Sequence, residues 1–491
     1  MWLLDGIAPL PSTDVRVSDL TLDSREARAD TLFFALAGHK THGLKFAADA
    51  AARGATAILW EPAADAEPPA LPAHVFAAPV ANLRSLLGRI ADRFFGWPSQ
   101  HLRITGITGT NGKTTCAYLL AQCLEHLGCN AAYMGTIGWG PPNSLTEPTH
   151  TTPDVVTVHR LLAKMRSNGA RDIAMEVSSH ALDQERVAGV RFHTAAFTNL
   201  TRDHLDYHKT MQAYGEAKTK LLQLADLKCI VVNIGDEFGR QFAESKSSRV
   251  PMTAVWIGGE QWGWLADHSL RAVDVQTSRA GISLRVDGSF GDFTAATSLL
   301  GRFNAENSLV VLACLLALDV PLSDAARALS HCHAAPGRME VVEASAQKPT
   351  AVVDYAHTPD ALAKALRAAR EHCEGSLWCV FGCGGDRDPG KRPLMGGIAD
   401  ELADQIIVTD DNPRSENPNA ITEGIVRGIS AHAPRVIHDR GQAIATAIRE
   451  AAPQDLVLIA GKGHEDYQIY GETRRPFSDR REALRYLGAA A

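Results

Sequence analysis

A glycine-rich loop between a strand and a helix is the feature that most constrains the fold of this 491-residue chain. Leu102–Thr105 has a strand pattern, Gly106–Thr115 forms the loop, and apolar residues recur at helical spacing from Leu119 to Leu127. The strict phosphate-loop pattern has glycine where Ile107 stands, but strand, loop, Gly-Lys-Thr and helix follow in the required order. The sequence therefore predicts a nucleotide phosphate-binding loop.

The residue types in this loop suit a bound phosphate. Glycines let backbone amides face the anion, Lys113 can reach the terminal phosphates, and the hydroxyl of Thr114 can join a magnesium shell. The predicted nucleotide contacts are Gly109, Thr110, Asn111, Gly112, Lys113, Thr114 and Thr115.

Length and charge limit the remaining possibilities. At about 150 residues per domain, the chain is long enough for roughly three. A net charge of -7 argues against a broad nucleic-acid surface, because such surfaces neutralise phosphates with lysine and arginine. The longest apolar stretch, Leu309–Leu318, is well short of the roughly 20 residues that span a bilayer. We expect no nucleic-acid partner and no membrane partner.

Cysteine usage and the first residues favour a cytoplasmic protein. The nine cysteines have no C-x-x-C spacing, which fits reduced thiols, and we expect Cys379 and Cys383 to pack in a core. The chain starts with no basic segment before its apolar residues and reaches Asp5 at once, which does not fit a secretory signal. A monomer is the default expectation.

The order of strand-like and helical patterns predicts an α/β protein of three domains. Residues 1–98 have the pattern of a small α/β domain, and Gly96–Ser99 has the composition of a linker. Residues 99–335 contain the phosphate loop and predict a central P-loop ATPase-like domain. In residues 336–491 short apolar strands alternate with helical segments, which predicts a parallel, doubly wound Rossmann-like sheet.

Three loops of the last domain each follow a predicted strand: residues 382–392, 410–416 and 461–466. Because ligand loops in such sheets lie at the carboxyl ends of the strands, we expect these loops to converge on one crevice. Arg414, at the end of Asp411–Arg414, presents a planar fork of donors that can hold a carboxylate through two hydrogen bonds. The alternative is a polar turn in which Pro413 fixes one dihedral.

Taken together, the motifs resemble those of the Mur ligases, the ATP-dependent amino-acid-adding enzymes of peptidoglycan synthesis. The resemblance rests first on Gly109–Thr114, Met175–His180 and Asp203–His208, and it extends over essentially the whole chain. The further matching segments are Gly301–Asn304, Gly337–Glu340, Asp354–His357, Gly384–Arg387, Asp411–Arg414 and Gly461–Glu465.

The resemblance implies an ADP-forming ligase with ATP as co-substrate and Mg²⁺ as cofactor. ATP would phosphorylate the D-glutamyl side chain of UDP-N-acetylmuramoyl-L-alanyl-D-glutamate, and the amine of meso-diaminopimelate would then displace phosphate. It further implies catalytic roles for Lys113, Glu176, His204 and Lys218, and metal ligation by Thr114, Glu176, His204 and a carbamate on Lys218. By residue type alone, Glu176 could be solvated, His204 packed, and Lys218 an exposed helix lysine.

The same resemblance implies the substrate contacts. Those for the UDP-sugar peptide are Ser24, Thr151, Thr152, Ser178, Gln184 and Arg186, of which Thr151, Thr152 and Ser178 could instead be turn or cap residues. Asn304, Arg338 and Asp354 are further implied ATP contacts, and each could instead stabilise the junction between the second and third domains.

For diaminopimelate the implied contacts are Arg387, Asp411, Asn412, Pro413, Arg414, Gly461 and Glu465. Arg414 and Glu465 would match a remote carboxylate and ammonium, and lysine lacks that carboxylate. The alternative for Arg387 is a surface ion pair with Asp386 or Asp388. Two rival functions remain at this point: a lysine-adding ligase, and a nucleotide-dependent switch that uses only the phosphate loop.

Overall fold

The computed structural model describes residues 2–7, 15–38, 41–63, 70–146, 151–245, 250–342 and 347–488. The strands are β1 Asp19–Thr21, β2 Thr31–Ala35, β3 Ala55–Trp60, β4 Phe76–Pro79, β5 Arg103–Thr108, β6 Ala131–Gly135, β7 Gly138–Gly140, β8 Asp172–Glu176, β9 Thr194–Phe197, β10 Cys229–Asn233, β11 Met252–Ile257, β12 His268–Ser278, β13 Gly281–Gly288, β14 Phe293–Thr297, β15 Glu340–Val342, β16 Thr350–Asp354, β17 Leu377–Phe381, β18 Gln405–Val408, β19 Arg435–Val436, β20 Leu456–Ala460, β21 Tyr467–Tyr470 and β22 Thr473–Pro476.

The helices are α1 Ala47–Ala52, α2 Leu83–Phe94, α3 Lys113–His126, α4 Val155–Ser167, α5 Ser179–Asp183, α6 Leu205–His208, α7 Met211–Leu222, α8 Glu237–Glu244, α9 Phe303–Ala317, α10 Leu322–Ser330, α11 Pro359–Arg370, α12 Lys391–Leu402, α13 Pro418–Val426, α14 Arg440–Glu450 and α15 Asp479–Leu487. The chain forms two compact units. Unit 1 holds residues 1–109, 129–196 and 201–230, and unit 2 holds residues 110–128, 197–200 and 231–491. The domain boundaries predicted after residues 98 and 335 stay predictions.

Unit 1 begins with a four-stranded parallel sheet in the order β1-β2-β3-β4. All five residues of β2 are buried, as expected for a parallel strand that is covered on both faces. One face packs against the apolar side of α2, and the other packs against α1. The small N-terminal α/β sheet predicted from the sequence is confirmed.

A second set of strands in unit 1 has the order β9-β5-β8-β6-β7. Strands β5, β8 and β6 are parallel, and Ile107 in β5 lies opposite Glu176 in β8. Because parallel strands end on the same edge of a sheet, the start of the phosphate loop and the Glu176 side chain belong to one edge.

Unit 2 contains a strand series in the order β10-β11-β12-β13-β14, in which β12, β13 and β14 pair antiparallel. Helix α9 packs on α3, and its residues from Leu309 to Leu315 are fully buried. The apolar run Leu309–Leu318 is therefore a core helix. Among the described residues, no helix combines the length and the apolar character needed to cross a bilayer.

The last part of unit 2 is a six-stranded sheet in the order β15-β16-β20-β17-β18-β19. All neighbours pair parallel except β15, which lies antiparallel at one edge. Helices α11, α12 and α13 cover one face, and α14 and α15 cover the other. The predicted doubly wound sheet is confirmed, and the three loops predicted to converge follow β17, β18 and β20.

All nine cysteines lie within the described ranges, and none forms a disulfide. Cys379 and Cys383 are buried in the third-domain sheet and its core, as predicted. Burial raises the pKa of the Cys383 thiol to about 12, which keeps it protonated at neutral pH.

A buried ion pair stabilises the edge of this sheet at which β17, β18 and β20 end, called the ligand edge below. Arg440, at the start of α14, donates to both carboxylate oxygens of Asp479, from Nε at 2.6 Å and from Nη2 at 2.7 Å. Nη2 also donates to the carbonyl of Ala460 at 3.0 Å, at the end of β20. Both side chains are fully buried, so each charge depends on the other.

We expect Arg440→Leu to lower the free energy of unfolding by about 3–5 kcal/mol, because it leaves the Asp479 carboxylate buried without its cation. Urea unfolding followed by tryptophan fluorescence measures the change. The control Arg435→Leu breaks an exposed pair with Glu450 and should cost at most about 1 kcal/mol. Equal effects of the two substitutions would contradict this account.

Candidate active site

The phosphate loop is held by the residues that follow β9. The backbone N–H of Thr110 donates to the carbonyl of Asn199 at 2.8 Å. The N–H of Asn111 donates to Asn199 Oδ1 at 3.0 Å, and the carbonyl of Asn111 accepts from Thr198 Oγ1 at 2.6 Å. Sequence reasoning missed Thr198 and Asn199, although a polar pair directly after a buried strand was a signal for them.

Helix α3 begins at Lys113, and no side chain caps its N-terminus. Such a terminus presents backbone N–H groups and a partial positive charge, which together favour a phosphate. Lys113 Nζ donates to the carbonyl of Thr110 at 2.8 Å, so its side chain folds back over the loop. The predicted strand, loop and helix are confirmed, whereas the individual nucleotide contacts from Gly109 to Thr115 stay predictions.

Gly112 leaves no room for a side chain. Its φ of 84° is in the left-handed region, and a Cβ atom there would lie 2.3 Å from Asn307 Oδ1. Asn307 cannot easily yield, because its Nδ2 donates to Asn304 Oδ1 at 2.8 Å and its Oδ1 accepts from Cys116 Sγ at 3.4 Å. The loop and helix α9 are therefore in direct contact at this glycine.

Glu176 is buried at the end of β8, so the solvated alternative for it is wrong. Its Oε1 accepts from the hydroxyl of Tyr133 and from the backbone N–H of Thr136, the latter at 2.9 Å. Its Oε2 accepts from Thr136 Oγ1 at 3.1 Å. These three donors fix the orientation of the carboxylate.

Lys218 is also buried, and the alternative of an exposed helix lysine is wrong. Its Nζ donates to the carbonyl of Gly109 at 2.7 Å and lies 4.4 Å from the centre of the Tyr214 ring. Burying an ammonium is costly unless polar groups compensate it, and the Gly109 carbonyl and the Tyr214 ring supply that compensation here. Tyr214 was missed, although its position one helical turn before Lys218 indicated the contact.

His204 and Lys218 share an aromatic neighbour, Tyr214. His204 is exposed, with a left-handed φ of 51°, and its ring centre lies 6.0 Å from that of Tyr214. His180 packs against His204 at 4.9 Å and against His208 at 5.4 Å. Burial and the neighbouring histidines lower the pKa of His180, and burial lowers that of His208.

The donors named for a metal fit Mg²⁺ by type. Glu176 and Thr114 supply oxygen, and a carbamate on Lys218 would supply more, which is the ligand class that Mg²⁺ prefers. A carbamate also keeps one N–H, so the bond from Lys218 to Gly109 could persist. Within the described ranges, no three His, Cys, Asp or Glu side chains converge on one point. The metal and its ligands stay predictions.

Five of the six predicted UDP-sugar-peptide residues belong to one network. Arg186 donates to the carbonyl of Thr152 at 2.9 Å and to Gln184 Oε1 at 2.6 Å. Thr152 Oγ1 donates to the Glu176 carbonyl at 3.2 Å and accepts from the Ser178 N–H at 3.4 Å. Thr151 joins through Thr136.

Two of these residues have further features. Ser178 caps α5 by accepting from the N–H of Ala181 at 3.1 Å, so the capping role considered for it is confirmed. Ser24, the sixth residue, is buried in a short 3₁₀ turn that follows β1. Their contacts with a substrate stay predictions.

Asn304, Arg338 and Asp354, the three further residues predicted to contact ATP, interact with residues that are close to them in sequence or next to the paired strands β15 and β16. Asn304 is buried and donates from Nδ2 to the carbonyl of Leu300 at 2.7 Å. Asp354 accepts from the N–H groups of Met339 and Ala356, and Arg338 lies 5.0 Å from the Tyr355 ring. Burial raises the pKa of the Asp354 carboxyl, and the Arg338 guanidinium opposes that shift. Their contact with ATP stays a prediction.

Arg414 is held in a strained backbone conformation at the sheet edge. Its φ is 54°, its N–H donates to the Ile469 carbonyl at 3.0 Å, and its carbonyl accepts from Gly471. Its Nη1 donates to the Gly385 carbonyl at 2.7 Å, and a Cβ on Gly384 would lie 2.8 Å from Nη1. The guanidinium is thus fixed against the glycines of the loop after β17.

The other diaminopimelate residues surround a buried lysine that the prediction omitted. Lys462 Nζ donates to Glu465 Oε2 at 3.0 Å and to Asn412 Oδ1 at 3.3 Å, and it lies 3.7 Å from Asp411 Oδ1. Asn412 Nδ2 donates to the same Oε2 at 3.0 Å. Lys462 therefore joins the 411–414 loop to Glu465. Its place in the Gly-Lys-Gly-His-Glu run was the available signal.

Pro413, Gly461 and Arg387 complete the predicted set. Pro413 is buried, and its carbonyl accepts from the N–H of Glu416 at 3.2 Å. Gly461 has a φ of 120°, and a Cβ there would lie 2.8 Å from Asp411 Oδ2, so only glycine fits. Arg387 is exposed on the loop after β17. Of its proposed ion-pair partners, Asp386 accepts from Ser415 Oγ at 2.5 Å, and Asp388 accepts from the N–H of Gly390 at 2.8 Å.

The fold and these loops define a phosphate-loop protein whose third domain carries a ligand edge on a doubly wound sheet. Comparison with known proteins supports this description of the fold. Family models match residues 16–95 (Mur ligase family, catalytic domain), 107–315 (Mur ligase middle domain) and 337–463 (Mur ligase, glutamate ligase domain). The chain belongs to the Mur ligase family, and its three-domain α/β architecture is that of the family.

Individual relatives cover nearly the whole chain. A protein of Ectopseudomonas mendocina named UDP-N-acetylmuramoyl-L-alanyl-D-glutamate--2,6-diaminopimelate ligase is 46% identical over 99% of this chain and 98% of its own. A protein of the same name from Alkalilimnicola ehrlichii is 45% identical over the same shares. A solved structure of a ligase with this name matches with a TM-score of 0.70 at 34% identity, covering 96% of this chain and 95% of its own.

We expect Gly112→Ala to abolish detectable ADP binding, because the new methyl group would displace Asn307 or distort the loop. The control is Gly128→Ala, which also has a positive φ, 77°, but no atom within 4 Å of the new Cβ. Gly128→Ala therefore introduces the backbone strain without the steric clash. Isothermal titration with ADP and magnesium measures both variants. Normal ADP binding by Gly112→Ala would show that the contact with Asn307 does not constrain the loop.

Proposed function

We propose that this protein is an ADP-forming ligase that adds meso-2,6-diaminopimelate to UDP-N-acetylmuramoyl-L-alanyl-D-glutamate in peptidoglycan precursor synthesis. The observation that carries the choice of amino acid is the fixed guanidinium of Arg414, beside the Asn412–Lys462–Glu465 cluster. Relatives of this name that match 99% of the chain support the same assignment.

The first step joins a carboxylate to phosphate. An oxygen of the D-glutamyl side chain attacks the γ-phosphorus of ATP, the bond to the β-phosphate breaks, and ADP leaves. Because two anions must meet, the site needs positive charge fixed in advance. The start of α3 and Lys113 provide it in this chain, and Mg²⁺, when bound, would neutralise further phosphate charge.

In the second step, the diaminopimelate amine attacks the acyl carbon. The C–O bond to phosphate breaks, phosphate leaves, and the nitrogen loses its proton as the amide forms. Acyl phosphates hydrolyse readily, so the site must exclude water while the amine arrives. We propose that the third-domain loops bring the amino acid to the acyl phosphate for this purpose.

Arg414 would pair with the carboxylate at the far end of diaminopimelate. Arginine can bind a carboxylate through two parallel hydrogen bonds, and Arg414 is already oriented by Gly385. Lysine has no carboxylate at that end and would leave the guanidinium poorly paired, which can cost several kcal/mol of discrimination. Glu465 and Asn412, positioned by Lys462, would receive an amino group.

The remaining roles follow the networks described above. Thr151, Thr152, Ser178, Gln184 and Arg186, together with Ser24, would bind the UDP-sugar peptide. Asn304, Arg338 and Asp354 would contact ATP, and Arg387 would bind the amino acid. Glu176, His204, Thr114 and a carbamate on Lys218 would hold Mg²⁺. We further propose a cytoplasmic monomer that acts on small molecules.

We expect Arg414→Ala to lower kcat/KM for meso-diaminopimelate by about 100-fold or more, because the remote carboxylate loses its partner. Arg414→Lys should restore only part of the activity, since lysine cannot form the paired hydrogen bonds. Phosphate release with ATP, magnesium and the UDP-sugar dipeptide measures both variants, with meso-diaminopimelate or L-lysine as the amino acid.

The matched control for this experiment is Arg435→Ala, which removes an exposed arginine of the same domain and should leave activity unchanged. Unchanged use of diaminopimelate by Arg414→Ala would overturn the role of Arg414. Preference of the wild-type protein for lysine would point to the lysine-adding ligase. Phosphate release without any amino acid would favour the nucleotide switch.

A further inference from the structure

His372 lies outside every predicted contact, yet it joins the third domain to the central domain of unit 2. It follows α11, is buried, and uses both ring nitrogens. Nε2 accepts from the backbone N–H of Gly301 at 2.8 Å, and Nδ1 lies 2.6 Å from the carbonyl of Ser278. Since a carbonyl only accepts and an amide N–H only donates, the ring is neutral with its proton on Nδ1.

The Gly301 N–H belongs to a peptide unit that is bonded on its other side as well. The carbonyl of the same unit, that of Leu300, accepts from Asn304 Nδ2 at 2.7 Å. A single rigid peptide plane therefore lies between His372 and Asn304. The plane also packs tightly, since a Cβ on Gly301 would lie 2.8 Å from Ala368 Cβ in α11. His372 and Asn304 are therefore hydrogen-bonded to opposite sides of one planar peptide unit.

From Asn304 the bonds continue to the phosphate loop. Asn304 Oδ1 accepts from Asn307 Nδ2 at 2.8 Å, and Asn307 Oδ1 accepts from Cys116 Sγ at 3.4 Å. The same Asn307 Oδ1 occupies the space beside Gly112. Both amides are buried, and each has its oxygen and its nitrogen engaged, so neither can flip without placing like groups together.

We propose that His372 is a positioning residue that couples the placement of the third domain to the shape of the phosphate loop. The path runs from His372 through the Leu300–Gly301 peptide, Asn304 and Asn307 to Gly112. This inference rests on the proposed function, because it assigns the loop to nucleotide phosphates. Its consequence is that the third domain, besides supplying the amino-acid loops and the proposed ATP contacts of Arg338 and Asp354, affects nucleotide affinity through the phosphate loop of the central domain.

The test is ADP affinity in the full-length protein, measured by isothermal titration with magnesium present. His372→Leu keeps the volume but removes both hydrogen bonds, and it should weaken ADP binding roughly tenfold, a size typical of residues in one hydrogen-bond network. His372→Gln can accept from Gly301 and donate to Ser278, so it should stay within about twofold of wild type. The half-saturating amino-acid concentration should not change in either variant.

The matched control is His432→Leu, which removes a third-domain histidine that pairs with Asp400 and has no place in the path. It should bind ADP normally. Unchanged ADP affinity in a folded His372→Leu variant, or equal losses in the Leu and Gln variants, would overturn the coupling.

If His372→Leu does not fold, Asn307→Leu provides the second test. It interrupts the same path at the loop and should weaken ADP binding to the same extent, whereas normal ADP binding by this variant would also overturn the coupling. A wild-type protein that fails to bind ADP at all would instead overturn the proposed function.

Discussion

Burial of positive charge is the constraint on which the functional loops depend. Lys218, Lys462 and Arg440 are among the largest fully buried side chains of the described residues. An uncompensated buried charge is prohibitively costly, so each cation requires oxygen acceptors at fixed positions. Those acceptors are the Gly109 carbonyl, the Asn412–Glu465 pair, and Asp479 with the Ala460 carbonyl. Each cation thereby fixes the segment that carries a predicted ligand contact.

Some of the strained backbone positions lie at or beside predicted contacts. Positive φ values occur at His204 and Arg414, and next to predicted contacts at Glu185, Met339 and Asp386. A non-glycine residue in this region costs on the order of 1–3 kcal/mol and persists only where its surroundings enforce it. At Arg414 the enforcement comes from backbone hydrogen bonds to Ile469 and Gly471. The hairpin β21–β22 thus sets the direction of the guanidinium, although the two are far apart in sequence.

The spacing of glycines was enough to predict the phosphate loop. The alternation of strand and helix patterns was enough to predict the doubly wound sheet and the convergence of its loops, because both signals lie within short stretches of sequence. These local signals were insufficient for Lys218 and Glu176, whose burial depends on distant partners such as Gly109 and Tyr133. Lys462 and His372 were missed for the same reason. A lysine or histidine in a loop gives no sign of burial until the elements around it are assembled, and the motif order gave these residues no separate role.

The measurement that tests the central claim most directly follows oxygen from the acceptor to phosphate. The UDP-sugar dipeptide is prepared with ¹⁸O in the D-glutamyl side-chain carboxylate and incubated with the protein, ATP, magnesium and meso-diaminopimelate. Mass spectrometry of the released phosphate should then show one ¹⁸O atom per turnover, because the carboxylate oxygen that attacks ATP leaves with phosphate. Phosphate free of ¹⁸O would show that the carboxylate is never phosphorylated and would contradict the ligase account.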